Sequence, residues 1–464
     1  MINQRIDRSQ HLAWLEGVRI LAVVMLLLYY AQMGFTGSAY TPQPTGLDSN
    51  LRHLATAMST FPKQGALPYF LSLPSWFGFQ FIDVFVLISG FSLMLSLKGK
   101  PLNVGIFLKR RLIQILFPFW AVAWLSFPVM WAIAIATKTA FPNPWDVFAG
   151  ISFPLLYDYN GEMLMATSRS WGFVWLILSF SVLFPFLWQL LQRWGAANLA
   201  VVCVLLTIAY RAIAIYILGG HPTYVIWDTQ VGGQPFALFL SKLGTFAIGM
   251  AVGDLSIKDE GPVYWSSPRA LTIGALVYVV GFICQFYTWG WIFADLLLSV
   301  GLGLGCMVMC RILAGQRQIA AFFVALGGYT YTFFLLHGLV VDRSLQLVVQ
   351  GDATRYAVML PIMIGITLVL AILIVYISPL IQRIVLGLLR DLDYVLTKSP
   401  ALQRRFKEPQ VGDEVCYRSE AGWIVLKVEK LLDEQEFFLC QVSDGQRSLW
   451  VNETDLEPAG KYLR

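Results

Sequence analysis

Charged residues are scarce in this chain. Asp, Glu, Lys and Arg make up 13% of its 464 residues, about half the share that is usual in soluble globular proteins. Hydrophobic residues make up 57%, and many apolar runs reach the length of about 20 residues that crosses a bilayer as a helix. This composition excludes an ordinary soluble domain. It predicts an all-α polytopic membrane protein in contact with the lipid bilayer.

Cysteine, histidine and excess positive charge are also limited. The chain has six cysteines and four histidines. Cys306 and Cys310 would share one helical face, but no other ligand type nearby completes a metal site. The formal net charge is only +5, with basic residues spread over many loops. We therefore predict no metal site, no permanently bound cofactor and no nucleic-acid partner.

The apolar runs predict about ten transmembrane helices. They lie near residues 13–34, 76–97, 112–136, 171–192, 198–218, 236–254, 270–287, 290–312, 320–341 and 357–378. The loops on one side, including Lys109–Arg111, carry more Lys and Arg and are expected to face the cytoplasm. An even number of spans then places both termini in the cytoplasm. The opposite side holds two long loops, 35–75 and 137–170, which could line a binding cleft or cover the helices.

The chain changes character after the last span. Residues 379–410 read as an amphipathic helix and linker. Residues 411–464 alternate apolar and polar positions in short runs broken by Gly and Asp-Gly turns, the pattern of β-strands joined by tight connections. We predict a small cytoplasmic all-β barrel of the Src-homology-3-like kind, which binds a protein partner or docks on the membrane domain.

Ionisable residues inside apolar runs are candidates for a functional site, because charge in hydrocarbon is costly. Arg19 and Tyr30 are eleven residues apart in the first span. That spacing brings them within about 20° of one helical face and about 16 Å apart along it. A polar track is one interpretation; an arginine reaching the headgroups below interfacial tyrosines is the other. Four further ionisable residues lie within later apolar runs: Asp83, Lys242, Asp295 and His337.

Six segments carry a series of motifs in a recognisable order. They are LEGVRILAVVMLLLYY, FIDVFVLISGFSL, FLKRRLIQILFPFW, SWGFVWLILSFSVLFPFL, FLSKLGTFAIGMAVGD and LGGYTYTFFLLHGLVV. Together they resemble the motifs of the integral-membrane acyltransferase-3 family over residues 11–378. We therefore expect an acyltransferase-3-like transmembrane domain at 1–378.

The resemblance implies a reaction and a place for it. Family members move an acyl group, commonly acetyl, from cytoplasmic acyl-CoA to a hydroxyl of an exported or envelope glycan. The implied protein is a polysaccharide O-acetylating enzyme of the bacterial cytoplasmic membrane. By position, Arg19, Arg110 and Arg111 would meet the CoA phosphates or order the inner mouth. The other residues implied for the interior site or substrate binding are Asp83, Trp171, Lys242 and His337.

Three motif positions depart from the family pattern. Tyr30 stands where the family has its first-helix histidine, Gln114 replaces the third arginine of the basic motif, and WLILSF lacks the usual acidic residue. Tyrosine has an ordinary pKa of about 10 against about 6.5 for histidine, so it is a poorer general base near neutrality. Two alternatives would still supply a general base. His337 could act as the base if the ninth span packs against the first, or a neighbouring cation could activate Tyr30.

The catalytic candidates are thus Tyr30, His337 and Asp83, and two hypotheses stand beside each other. The first is a membrane acyltransferase of groups other than amino-acyl groups, with an altered site. The second is a catalytically inactive relative that binds a glycan or lipid, or serves as a scaffold recruited through residues 411–464. A transporter is a weaker third, because no inverted repeat is evident.

Overall fold

A computed structural model describes residues 8–37, 41–59, 73, 76–97, 102–138, 171–218 and 237–396, and also 414–419, 422–434, 437–443, 448–452 and 456–458. The chain forms two compact units, Met1–Leu380 and Ile381–Arg464. Much of the two long loops predicted at 35–75 and 137–170 lies outside the described residues, namely 38–40, 60–72, 74–75 and 139–170.

The described helices run along the chain as twelve elements, numbered here in order. They are α1 (Arg8–Thr36), α2 (Leu47–Ser59), α3 (Phe81–Leu97), α4 (Val104–Thr137), α5 (Gly172–Trp194), α6 (Ala196–Ala212), α7 (Ala237–Ile257), α8 (Ser267–Cys284), α9 (Trp291–Ala314), α10 (Arg317–Gly327), α11 (Thr330–Ser344) and α12 (Ala353–Leu396). Short π-helical segments extend α6 to Ile217 and α11 to Val349.

Ten of these helices are long and apolar enough to cross a membrane, within the residues that the structure describes. The prediction of about ten spans is therefore confirmed. The ninth was placed wrongly, because the sequence run 320–341 spans two helices: α10 ends at Gly327 and the membrane-length helix runs from Thr330 to Val349. Gly328 and Tyr329 separate them. A Cβ at Gly327 would collide with the Glu16 carboxylate, so the break is also a close contact with α1.

The last predicted span and the amphipathic helix predicted after it belong to one uninterrupted helix. Helix α12 runs for 44 residues through Pro361 and Pro379 to Leu396. A proline removes one backbone hydrogen bond, which usually kinks or ends a helix in water. In membrane helices the freed carbonyl is commonly satisfied by local adjustment or neighbouring groups. Helix α12 therefore continues past Pro379 without a break, into the segment predicted to form an amphipathic helix.

Helix α1 has the central place in the first unit, since it packs against α3, α9, α10 and α11. Helices α3 and α7 cross at very short range. A Cβ at Gly90 would meet the Phe246 carbonyl oxygen, and one at Gly249 would meet the Leu87 carbonyl oxygen. Small residues permit such backbone contact between membrane helices. The crossing aligns the segments that carry Asp83 and Lys242.

The second unit contains an antiparallel sheet of five strands: β1 (Glu414–Ser419), β2 (Gly422–Glu434), β3 (Phe437–Ser443), β4 (Ser448–Asn452) and β5 (Leu456–Pro458). Their order is β4-β3-β2-β1-β5. Val415, Leu426, Val428 and Val442 form a buried cluster. The predicted strands are confirmed, but the closed barrel is wrong. A barrel closes only when its edge strands pair, and the three-residue β5 pairs with β1, with no β4–β5 ladder among the described strands.

Candidate functional site

His337 lies on α11 in the interior of the first unit and is fully buried. Its Nδ1 is 2.5 Å from the carbonyl oxygen of Phe334, one turn earlier. A carbonyl can only accept, so this bond assigns the proton to Nδ1 and leaves Nε2 as the basic nitrogen. Nε2 is buried and has no hydrogen-bond partner. Such a group is costly unless a ligand or water meets it.

Tyr30 and Trp171 surround the same part of α11. The ring centroids of Tyr30 and His337 are 5.0 Å apart, because α11 packs against α1. The indole Nε1 of the buried Trp171 donates to the carbonyl oxygen of Leu335 at 2.9 Å. Trp171 thereby fixes the backbone two residues before His337. Three of the sequence-predicted residues are thus brought together, and the packing condition for His337 as a base is met.

Asp83 and Lys242 belong to a separate, buried ion-pair network. Lys242 Nζ is 2.9 Å from Asp83 Oδ1 and 2.5 Å from Asp295 Oδ2. Asp295 also accepts from Arg211 Nη1 at 2.6 Å, and Arg211 Nη2 donates to the Trp291 carbonyl oxygen at 2.6 Å. Two cations and two carboxylates therefore join α3, α6, α7 and α9 as a neutral set. No hydrogen bond links Asp83 to His337 within the described residues.

Arg211 is the member of this network that the sequence candidates omit. Its side chain is 1% exposed. The available signal was the same one that identified Lys242, a lone cation deep within an apolar run, here in TIAYRAIAIYIL. The family motifs do not include that segment, so the resemblance did not identify Arg211.

A second group of charged and polar residues lies about three helical turns from Tyr30 along α1. Arg19 Nη1 is 2.5 Å from Glu16 Oε1, and its Nη2 donates to Ser92 Oγ at 2.7 Å. Arg111, on α4, is within electrostatic range of Arg19 and of Tyr331. Its Nε is buried without a hydrogen-bond partner. We call Glu16, Arg19, Ser92, Arg111 and Tyr331 the inner cluster.

Arg110 does not join the inner cluster. Its side chain is exposed whereas that of Arg111 is half-buried, because consecutive residues of a helix point about 100° apart. The described residues contain no group of three His, Cys, Asp or Glu that could hold a metal ion.

The family model described as an acyltransferase domain, Acyl_transf_3, matches residues 12–378. The chain belongs to the acyltransferase-3 family. The match covers both His337 with its surroundings and the inner cluster, and it ends before the β-sheet of the second unit. No curated protein and no solved structure matches the chain. Membership of the acyltransferase-3 family supports membrane acyltransferase activity in general; the roles of individual residues stay predictions.

Proposed function

We propose that this protein transfers an acyl group, most simply acetyl, from cytoplasmic acyl-CoA to a hydroxyl of an exported or envelope glycan, with His337 as the general base. The observation that carries the proposal is the buried, unpartnered Nε2 of His337, held in the basic tautomer by the Phe334 carbonyl. It lies against Tyr30, the position at which the family has its histidine. In this proposal the general base is on α11, the helix packed beside α1, whereas the family's histidine is on α1.

In the proposed step, the acceptor hydroxyl gives its proton to His337 Nε2 as its oxygen attacks the thioester carbonyl carbon. A new C–O ester bond forms and the C–S bond breaks. The sulfur leaves as CoA thiolate and takes up one proton, which restores neutral His337. The products are the acylated acceptor and free CoA. Positioned general-base catalysis of this kind typically contributes about 100- to 10,000-fold in rate.

The inner cluster is the proposed entry for the donor. CoA carries several phosphate groups, and guanidinium groups are well suited to bind them. Arg111 is the favoured contact, because its Nε lacks a partner whereas both terminal nitrogens of Arg19 are engaged. The positive-inside rule predicts that the inner cluster lies toward the cytoplasmic side of the membrane. The proposed setting is the bacterial cytoplasmic membrane, with both termini inside and a protein partner for residues 411–464.

One observation favours the second candidate, a non-catalytic relative. Tyr30 occupies the position of the family's histidine, and a phenol is a weak base near neutrality. A protein that kept the residues that bind acyl-CoA but lost the general base would still bind the donor. Turnover therefore decides between the two candidates, and binding alone does not.

The test uses purified protein in lipid nanodiscs with radiolabelled acetyl-CoA, with and without a bacterial envelope polysaccharide fraction. Released CoA and label in the polysaccharide are both measured. Wild type should release CoA, and His337→Ala should lower the rate by about 100-fold or more. The matched control is His53→Ala, since His53 is an exposed histidine on α2. Its rate should equal that of wild type.

Variants at Tyr30 separate the two candidates. Under the proposal, Tyr30→Phe keeps a substantial part of the rate, because the phenol is not the base. A silent wild type that becomes active as Tyr30→His would identify a site that has lost its base, and the second candidate would stand. Equal activity of wild type and His337→Ala would overturn His337 as the base.

A further inference from the structure

Glu16 occupies the place that an anionic donor would take on Arg19. Its Oε1 is 2.5 Å from Arg19 Nη1, and Ser92 accepts from the other terminal nitrogen. Both ends of the guanidinium fork are therefore engaged in the protein without donor. The pair is largely shielded from water, with side-chain exposures of 29% for Arg19 and 17% for Glu16. A phosphate can use this fork only if Glu16 gives way.

The second oxygen of Glu16 shows that this carboxylate is incompletely satisfied. Glu16 Oε2 is buried and has no hydrogen-bond partner. The carboxylate is held against the backbone of α10, where Gly327 leaves room for it. A purely structural ion pair would gain from a donor to this oxygen. Glu16 is tethered beside Arg19 with one oxygen bound and the other unmet.

The local charge balance points the same way. Arg19 and Arg111 are close enough to interact as like charges, and Glu16 is the one carboxylate bonded to either of them among the described residues. The inner cluster thus has a net charge of about +1 with Glu16 ionised. An arriving phosphate meets two attracting guanidiniums and one repelling carboxylate. Removing that carboxylate would strengthen the attraction for any anion.

We infer that Glu16 is a specificity residue of the donor site: a tethered counter-anion that competes with the donor phosphates for Arg19. A single inorganic anion gains too little to displace a carboxylate held on the same helix. A molecule with several phosphates can displace the Glu16 carboxylate, because its remaining phosphates bind elsewhere in the inner cluster. The inference rests on the proposed function, since it assumes that acyl-CoA enters at the inner cluster.

The experiment measures equilibrium binding of radiolabelled acetyl-CoA to the full chain in nanodiscs. Glu16→Gln should bind about tenfold more tightly than wild type. It should also become sensitive to competition by millimolar inorganic phosphate, which leaves wild type unaffected. Glu16→Asp keeps the charge on a shorter stem and should resist phosphate as wild type does. The matched control is Asp254→Asn, which neutralises the acid of another ion pair within one helix, the i,i+4 pair with Lys258, and should change neither quantity.

A double-mutant cycle with Arg19→Gln tests the mechanism itself. Because Glu16 acts largely by holding Arg19, Glu16→Gln should tighten binding much less when Arg19 is already absent. If wild type binds acetyl-CoA and Glu16→Gln binds equally or more weakly, the inference about Glu16 is wrong while the donor site stands. If no variant binds acetyl-CoA, the proposed function falls and the inference falls with it. Glu16→Ala, which also removes the charge, should show the same phosphate sensitivity and provides the test in case Glu16→Gln does not fold.

Discussion

Arg110 and Arg111 are adjacent arginines with different surroundings, and they predict different effects. Arg111 is half-buried beside Arg19, whereas Arg110 is exposed. Arg111→Gln should weaken acetyl-CoA binding by about tenfold or more, since it removes a charged contact worth at least about 1.4 kcal/mol. Arg110→Gln should weaken it by less than about threefold, through the general field alone. Binding isotherms at two salt concentrations check both values, and equal losses would contradict the distinction.

At the residue scale, the sequence located candidates but not their partners. Helical periodicity placed Arg19 and Tyr30 near one face of a helix. The energetic cost of an ionisable side chain in the bilayer singled out Asp83, Lys242 and His337. Those arguments concern one chain segment at a time. The pairing of Lys242 with two carboxylates, and of Arg19 with Ser92, depends on which helices meet, and hydropathy does not encode that. Tyr30 beside His337 was foreseen only as a condition on packing.

At the scale of secondary-structure elements, the ion-pair network connects four helices, because each of its four residues lies on a different one. Arg211→Leu would leave two carboxylates to share Lys242 alone. An uncompensated buried charge typically costs about 3–5 kcal/mol, so the apparent unfolding midpoint in detergent should fall clearly. The double variant Arg211→Leu with Asp295→Asn restores neutrality and should recover most of that loss. Arg193→Leu is the control, since Arg193 is exposed at the end of α5. A double variant no better than Arg211→Leu would contradict the argument.

The crossing of α3 and α7 is the other element-scale feature that a substitution can test. Gly249→Ala would place a methyl group against the Leu87 carbonyl oxygen, and overpacking of this kind costs about 1–3 kcal/mol. It should lower the unfolding midpoint and separate Asp83 from Lys242. Gly305→Ala is the matched control, because nothing lies within 4 Å of a Cβ at Gly305. Similar midpoints for the two variants would show that the crossing can relax.

Helix existence was predictable at this scale, and helix ends were less so. Ten apolar runs gave ten membrane-length helices, since length and hydropathy are properties of the segment itself. The break between α10 and α11 was missed because apolar residues continue on both sides of Gly327. The amphipathic pattern after residue 378 predicted further helix, but it did not show that α12 passes through Pro379 without a break.

At the scale of the whole molecule, the division into two units separates the residues of the proposed site from the β-sheet. His337, Tyr30 and every residue of the inner cluster lie in Met1–Leu380, and the β-sheet lies in Ile381–Arg464. The order of motifs made the first unit recognisable from sequence. The sheet was predictable from period-two alternation, but its openness was not, because closure depends on pairing between strands far apart in the chain.

A chain that ends after residue 410 should therefore keep acetyl-CoA binding, with an affinity within about twofold of the full chain and the same dependence on Arg111. The physical reason is that the proposed donor contacts all come from the first unit. The full chain in the same nanodiscs is the reference, and an unchanged unfolding midpoint would show that the membrane helices remain intact. If the shortened chain is folded but no longer binds acetyl-CoA, the second unit contributes to the donor site. If it binds and turns over in nanodiscs but fails to acylate glycan in cells, residues 411–464 act through recruitment of a partner.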